Sequence, residues 1–337
     1  MIRKKSRIMA MIITATLVIG AFAGCSAQGK EGENSSVATG SVENLEKGFA
    51  LEYTELMKEQ GFTESVVLES KPERVVCIST STTQVLFKLG VSLVGIPKSS
   101  TYEIPSDYEG EVLQSLMSDD FNIESVIALN PDLVIIPSSS KEKYGQAVED
   151  ANIPVYYTNS GHSATFESVV QEVEVMINAF GKDSEGAKEI QKSFEELDEK
   201  IAESKKVLEG KSVMILATTQ YIQSMLGTAG SMAEMIGLTN VYENSSAGMV
   251  PLDQETTLGY KPDVILAIGS TASAEENEKI MEEEFAKNPE YWNSFDAIKN
   301  DKVVHLSSSY MPNTGIGMVE QISDLIDLVY EKLGINQ

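Results

Sequence analysis

Two stretches of the chain that start 131 residues apart carry the same punctuation. One reads E-S-V-I-A-L-N-P-D-L-V-I-I from Glu124, the other E-T-T-L-G-Y-K-P-D-V-I-L-A from Glu255. In each, a glutamate lies seven residues before Pro-Asp and an aliphatic run follows. The pattern predicts a short helix, a turn and a strand buried on both faces, as in a parallel sheet. A duplicated unit of this kind restricts the chain to two similar halves. Around it, strands are expected at Val75–Ser79 and Val213–Ala217, with helices ending at Gly90 and Gly237. Third strands are expected at Val155–Tyr157 and Val303–Leu306. Alternating strands and helices give the α/β class: two Rossmann-like lobes with mostly parallel sheets.

Between the halves, Ile190, Phe194, Leu197, Ile201 and Leu208 recur at helical spacing among charged residues. A helix over 184–209 would span some 35 Å at about 1.5 Å per residue, a rigid connector that allows only small lobe motions. The lobes are then 48–183 and 210–337.

The N-terminus reads as a targeting segment. Arg3, Lys4, Lys5 and Arg7 precede an apolar run from Ile8 to Phe22 and then Ala23-Gly24-Cys25. That is the layout of a secretory signal over 1–24, and the run is short for a permanent span of about 20 residues. Cysteine directly after Ala-Gly resembles a bacterial lipobox, which implies a lipid such as palmitate on Cys25 and attachment to the outer face of the cell membrane. Cleavage near Ala27 without lipid is the alternative. Residues 25–47, rich in Ser, Gly, Glu and Asn, read as a flexible tether.

Charge excludes some partners. The chain carries −25 overall. Removal of 1–24 would leave 22 Lys+Arg against 51 Asp+Glu, or −29, with Arg74 the sole arginine. Nothing here would neutralise nucleic-acid phosphates or hold an anionic lipid surface through a basic patch. Cys77, in an aliphatic run, reads as a buried inert thiol. Phosphate loops, G-x-S-x-G elbows and H-E-x-x-H helices are absent, and two histidines offer hydrolysis little, so no enzyme is expected. A chelatase-like or cluster enzyme would need more Cys and His ligands.

Candidate residues each carry two readings. Glu124 and Glu255 are helix-start carboxylates favoured by the helix dipole, and, as a matched pair, contacts for a two-fold partner. Met117 lies in a loop before Glu124, either as a satellite-core residue or as a soft thioether ligand. His162 either caps the following helix or faces a ligand at the carboxyl end of a strand. Met311 to Met318, glycine-rich, either lines a cleft or caps the last helix. His305 reads as structural.

The segment P-E-R-V-V-C-I-S-T-S-T-T-Q-V-L-F-K-L-G-V-S-L-V-G-I-P, the paired E-x(6)-P-D blocks and the bridging helix resemble a known family. It comprises the helical-backbone substrate-binding proteins of bacterial ABC importers for ferric siderophores, haem and cobalamin. The resemblance covers roughly 71–334 and implies a class III periplasmic-binding-protein fold. It implies that Glu124 and Glu255 pair with arginines on a two-fold permease driven by separate ATPase subunits. Within the family the chain looks most similar to the haem-binding lipoproteins of the iron-regulated surface determinant system. In those a first-lobe methionine, matched by Met117, and a second-lobe histidine hold the iron. At the histidine's place stands Gly269-Ser270-Thr271-Ala272. A second ligand, if there is one, then falls to Tyr221, Met249, Tyr310 or His162. No intrinsic cofactor is expected.

Arginine scarcity disfavours anionic siderophores, since Arg is the bidentate carboxylate clamp. The expected order of ligands is haem, then a ferric hydroxamate, then cobalamin, bound by a monomer. A tethered lipoprotein that binds only another protein is the reading from a different class.

Overall fold

The computed structural model describes residues 48–99, 102–159, 165–243, 246–311 and 315–336. The basic segment, Cys25, the tether and His162 lie outside the described residues.

The first lobe runs β1 (Phe49–Leu51), α1 (Glu55–Glu59), β2 (Val66–Leu68), β3 (Val75–Cys77), α2 (Thr80–Lys88), β4 (Leu93–Pro97) and β5 (Glu111–Leu113). It continues through α3 (Ile123–Ala128), β6 (Leu133–Pro137), α4 (Gln146–Asp150), β7 (Val155–Thr158) and α5 (Phe166–Phe180). Its sheet, ordered β5-β4-β3-β6-β7, is parallel throughout. The chain winds outward from β3 in both directions, so the topological switch lies between β3 and β6. In open α/β sheets ligands collect at the carboxyl ends of strands at such a point.

A single helix, α6 (Glu185–Val207), leads to the second lobe. There follow β8 (Ser212–Ala217), β9 (Tyr221–Gln223), α7 (Thr228–Met235), β10 (Thr239–Asn240), β11 (Met249–Pro251), α8 (Gln254–Thr257) and β12 (Val264–Ile268). The chain closes with α9 (Ala274–Lys287), α10 (Pro289–Trp292), α11 (Asp296–Lys299), β13 (Val303–Leu306) and α12 (Met318–Leu333). Strands β8, β12 and β13 are parallel neighbours, as are β8 and β10. Antiparallel β9 and β11 extend the sheet at the carboxyl end of β8, an addition that the first lobe lacks and the repeat does not foretell.

The duplication has a physical basis. Asp132 accepts the N–H groups of Glu73 and Arg74 at 2.7 and 2.9 Å, fixing the chain as it enters β3. Asp263 does the same for β8, accepting from the Ser212 N–H at 2.9 Å and its hydroxyl at 2.8 Å. Burial pushes the Asp263 carboxyl up, but the Ser212 donors and Lys211 outweigh it and hold the group below the usual range. Each Pro-Asp thus ties the strand that follows it, β6 or β12, to the start of its parallel neighbour, β3 or β8. Asp132→Ala and Asp263→Ala are each expected to cost about 1–3 kcal/mol, the range for stranding donors at a half-buried site. Urea midpoints check this, and unchanged midpoints would mean that water replaces the carboxylates.

Glycines set the closest approaches of α6. At Gly186 a Cβ would overlap the Lys88 carbonyl at the end of α2, and at Gly237 (φ +108°) it would come within 2.8 Å of Lys205 on α6. Lys200 of α6 donates to the Ser323 carbonyl and hydroxyl of α12 and pairs with Asp327 at 2.7 Å. One apolar core runs from the first sheet past Ile190, Leu197 and Ile201 to one face of the second. Trp292, with Phe285, Tyr291 and Phe295, fills the other face.

Candidate functional site

The site residues are best followed outward from the hairpin-like pair β9 and β11. Gln223 lies opposite Met249, and Tyr221 opposite Pro251. Side chains alternate along a strand, so Tyr221 and Gln223 share a face with Met249 beside them. Ile222 points the other way, into the core with Trp292. The shared face opens on a groove of about 440 Å³ lined by Gln223, Leu226, Gly227, Thr228, Met249 and Met311, among others. Leu226 and Met249 keep 51% and 43% of their surface in solvent, an apolar exposure that a folded lobe has no structural need for.

Gln223 contrasts with them at 3% exposure. Its Nε2 donates to the Met311 thioether at 3.4 Å, and its Oε1 meets no donor among the described residues. The groove also meets the start of α7, whose N-cap is Gly227, with no side chain capping the first N–H groups.

The other expected residues fall as follows. Met117 follows β5, at the carboxyl end of the first sheet, and is 93% exposed. Tyr221, 39% exposed, stands on the same ribbon face as Gln223. Tyr310 turns inward: it is buried, its hydroxyl donates to the Gln321 carbonyl, and burial raises its pKa. As an iron ligand it would first have to leave that bond. Gly269, the first residue of the segment Gly269–Ala272, is closed off by Asn277, whose amide meets the Thr271 N–H and both the Thr271 and Leu306 carbonyls. Structure thus brings Met249 and Met311 together on the groove, with Tyr221 beside them, and leaves Tyr310 inside.

Among the described residues that line the groove there is no Lys or Arg. Arg74 is at the amino end of β3, where its guanidinium donates to the Leu129 and Asn130 carbonyls at the end of α3. Lys141 lies over the rings of Phe62 and Tyr157. Cys77 is buried, and burial pushes its thiol up to about 12, which leaves it unreactive. His305, on β13, has its pKa lowered by burial.

Glu124 and Glu255 are exposed and built alike. Each is the second residue of its helix, and its N–H is capped at 2.9 Å by a side chain two residues back, Asn122 in one lobe and Asp253 in the other.

A first-lobe feature had no distinguishing mark in the sequence. Glu172 of α5 is half-buried, yet among the described residues its Oε1 has no solvent and no partner, and the Asn159 N–H reaches Oε2 at 3.2 Å. Burial raises this carboxyl to about 8, against the lowering effect of the Asn159 N–H. It borders a void of about 20 Å³, room for one water, where Ser81 and Thr82 of α2 meet Gly315 and Ile316.

A family model described as a periplasmic binding protein matches residues 75–310. An uncharacterized ABC transporter substrate-binding lipoprotein of Bacillus subtilis (strain 168) is 25% identical over 279 residues, 79% of this chain and 83% of that protein. A cobalamin-binding protein of Halobacterium salinarum is 31% identical over 94 residues, 27% of this chain and 25% of that protein. The crystal structure of S. aureus IsdE complexed with heme superposes with a TM-score of 0.59 at 23% identity, over 76% of this chain and 98% of that one. At that identity the likeness is one of fold.

Proposed function

Because the chain belongs to the periplasmic binding protein family, we propose that it is the substrate-binding lipoprotein of an ABC importer and captures a metal-bearing macrocycle. The observation that carries the ligand class is the groove: an apolar shelf with two thioethers and no arginine, suited to a flat apolar body rather than to a polyanion. Haem is the first candidate, with Met117 and Met249 as soft ligands to its iron; the resemblance to haem-binding lipoproteins and the fold of the heme-complexed structure support it. A corrinoid is the second reading, favoured by the partial match to a cobalamin-binding protein. A ferric hydroxamate ranks below both, since it would leave the shelf largely uncovered.

In this reading Cys25 carries the lipid that holds the chain at the outer face of the membrane, and no helix among the described residues is long and apolar enough to cross it. Glu124 and Glu255 meet the two-fold permease. The chain makes and breaks no bonds; a separate ATPase subunit supplies the energy.

Titration of the purified full-length chain with haemin tests the first candidate. The expected result is saturable one-to-one binding with a shifted Soret band, altered in Met117→Ala. Cyanocobalamin is titrated in parallel. Flat curves for both would sink the macrocycle reading.

A further inference from the structure

The methionines of this chain are sorted by place. Eleven lie among the described residues, and Met57, Met176, Met214, Met232, Met281 and Met318 are shut in the core, none above 2% exposed. Met225, Met235 and Met311 are half-buried. Two stand out in solvent: Met117 at the carboxyl end of the first sheet, and Met249 on the groove of the second lobe. The other side chains that an oxidant favours are closed to it among the described residues. Cys77 is buried with its thiol raised to about 12, and Trp292 is buried against Phe285 and Tyr291. The two thioethers of the groove are themselves unequal. Met311 is half-buried, and its sulfur accepts from Gln223 Nε2 at 3.4 Å, which commits a lone pair. Met249 is the exposed one, on the same groove as Leu226. Leu226 supplies the same kind of apolar surface but has no sulfur for a peroxide to oxidise.

We propose that Met249, together with Met117, is a reversible oxidation switch that shuts off ligand capture. A sulfur lone pair attacks one oxygen of a hydroperoxide, and the S–O bond forms as the O–O bond breaks. Sulfur gives up two electrons; the proton of the transferred oxygen passes to the other, which leaves as water or an alcohol. The product is a sulfoxide, so a soft apolar side chain becomes a hard polar acceptor. At Met249 this sets an oxygen on the apolar shelf, without a donor once a ligand has expelled the water. At Met117 it removes a soft sulfur. A thiol-dependent sulfoxide reductase reverses the change: two thiols become a disulfide and the oxygen leaves as water. The six core methionines are out of reach, so the fold survives oxidation of the site. This inference rests on the groove being the ligand site and adds a chemical state that governs its occupation.

The test treats the ligand-free full-length chain with dilute hydrogen peroxide, removes the oxidant and maps sulfoxides by peptide mass spectrometry. Met117 and Met249 are expected to convert at least about tenfold faster than Met311 and the six core methionines, with the thermal midpoint unchanged. Haemin and cyanocobalamin are then titrated into treated and untreated protein. Whichever probe the untreated protein binds should bind about tenfold more weakly after treatment, the cost of covering one polar oxygen without a donor. Methionine sulfoxide reductase with dithiothreitol should restore the affinity. In Met117→Leu/Met249→Leu the affinity, whatever its starting value, should not respond to peroxide. Met311 or core methionines oxidised as fast as Met249, equal affinity before and after Met249 is converted, or a double variant that still responds would each overturn the switch while the groove reading stands. Untreated protein that binds neither probe would overturn both.

Discussion

Alanine at both Glu124 and Glu255 is expected to leave macrocycle affinity within about twofold of wild type and to reduce uptake by whole cells at least about tenfold, as losing the charges that orient an encounter does. The two carboxylates are exposed, are not among the groove-lining residues, and are held identically by an Asx cap at the second position of a short helix. Neither helix needs its glutamate to stay folded, since the caps come from Asn122 and Asp253. Each single variant should keep part of the uptake, because one lobe still makes its contact. Exchange to lysine should be more severe than alanine, adding repulsion where a cationic partner is expected. Uptake that survives the double alanine variant at wild-type rate would remove the permease role from this pair.

Glu172→Gln is expected to make the protein more stable at pH 8, by about 1–3 kcal/mol, and to have little effect near pH 5. The native carboxyl is raised to about 8 from an ordinary value of 4.5. Between those values the folded state holds a proton that the unfolded chain has released. Stability from this group is thus complete below pH 4.5 and declines as pH rises through 8, at up to about 1.4 kcal/mol per unit. Burial is the cause, and the Asn159 N–H offsets only part of it. The nearby titratable groups, Cys77 and Tyr156, are both neutral over this range, their own values raised by burial. The measurement is the urea midpoint of both proteins from pH 5 to 8.5. Parallel curves would show that Glu172 is solvated and ionised throughout.

These two groups of residues differ sharply in how legible they were. The Glu124 and Glu255 blocks could be read because the constraint is local: cap, helix, Pro-Asp turn and strand fall within 16 consecutive residues, and they occur twice. Strand Val303–Leu306 has the expected limits, and α2 and α7 end before glycines at φ +71° and +108°. The ribbon β9–β11 was not legible. Its strands are three residues each, more than 20 residues apart, and their pairing follows from tertiary contact alone. Tyr221 and Met249 could be named as candidates, but Gln223 could not, since a glutamine after an isoleucine looks like any surface position. Glu172 and Glu174 are likewise indistinguishable within V-V-Q-E-V-E-V. Only the packing of α5 beneath Asn159 leaves one half-buried and the other exposed. Tyr310 could be named a candidate with no motif behind it, whereas in the fold α12 takes its hydroxyl through the Gln321 carbonyl.

The segment Gly315–Gly317 gives the molecule an unusual mechanical property. Gly315 is so close to Ser81 that a Cβ would collide with it, and Ile316 is buried against the first lobe, although the chain on either side belongs to the second. The halves are therefore joined, among the described residues, through this strap as well as through α6 and the apolar core beside it. A body hung from one point can swing in any direction, but a body held at further points cannot. Opening and closing are then more confined than a single linking helix alone would make them. A partner that grips both lobes at fixed separation would sense a loaded or empty groove through that confined motion.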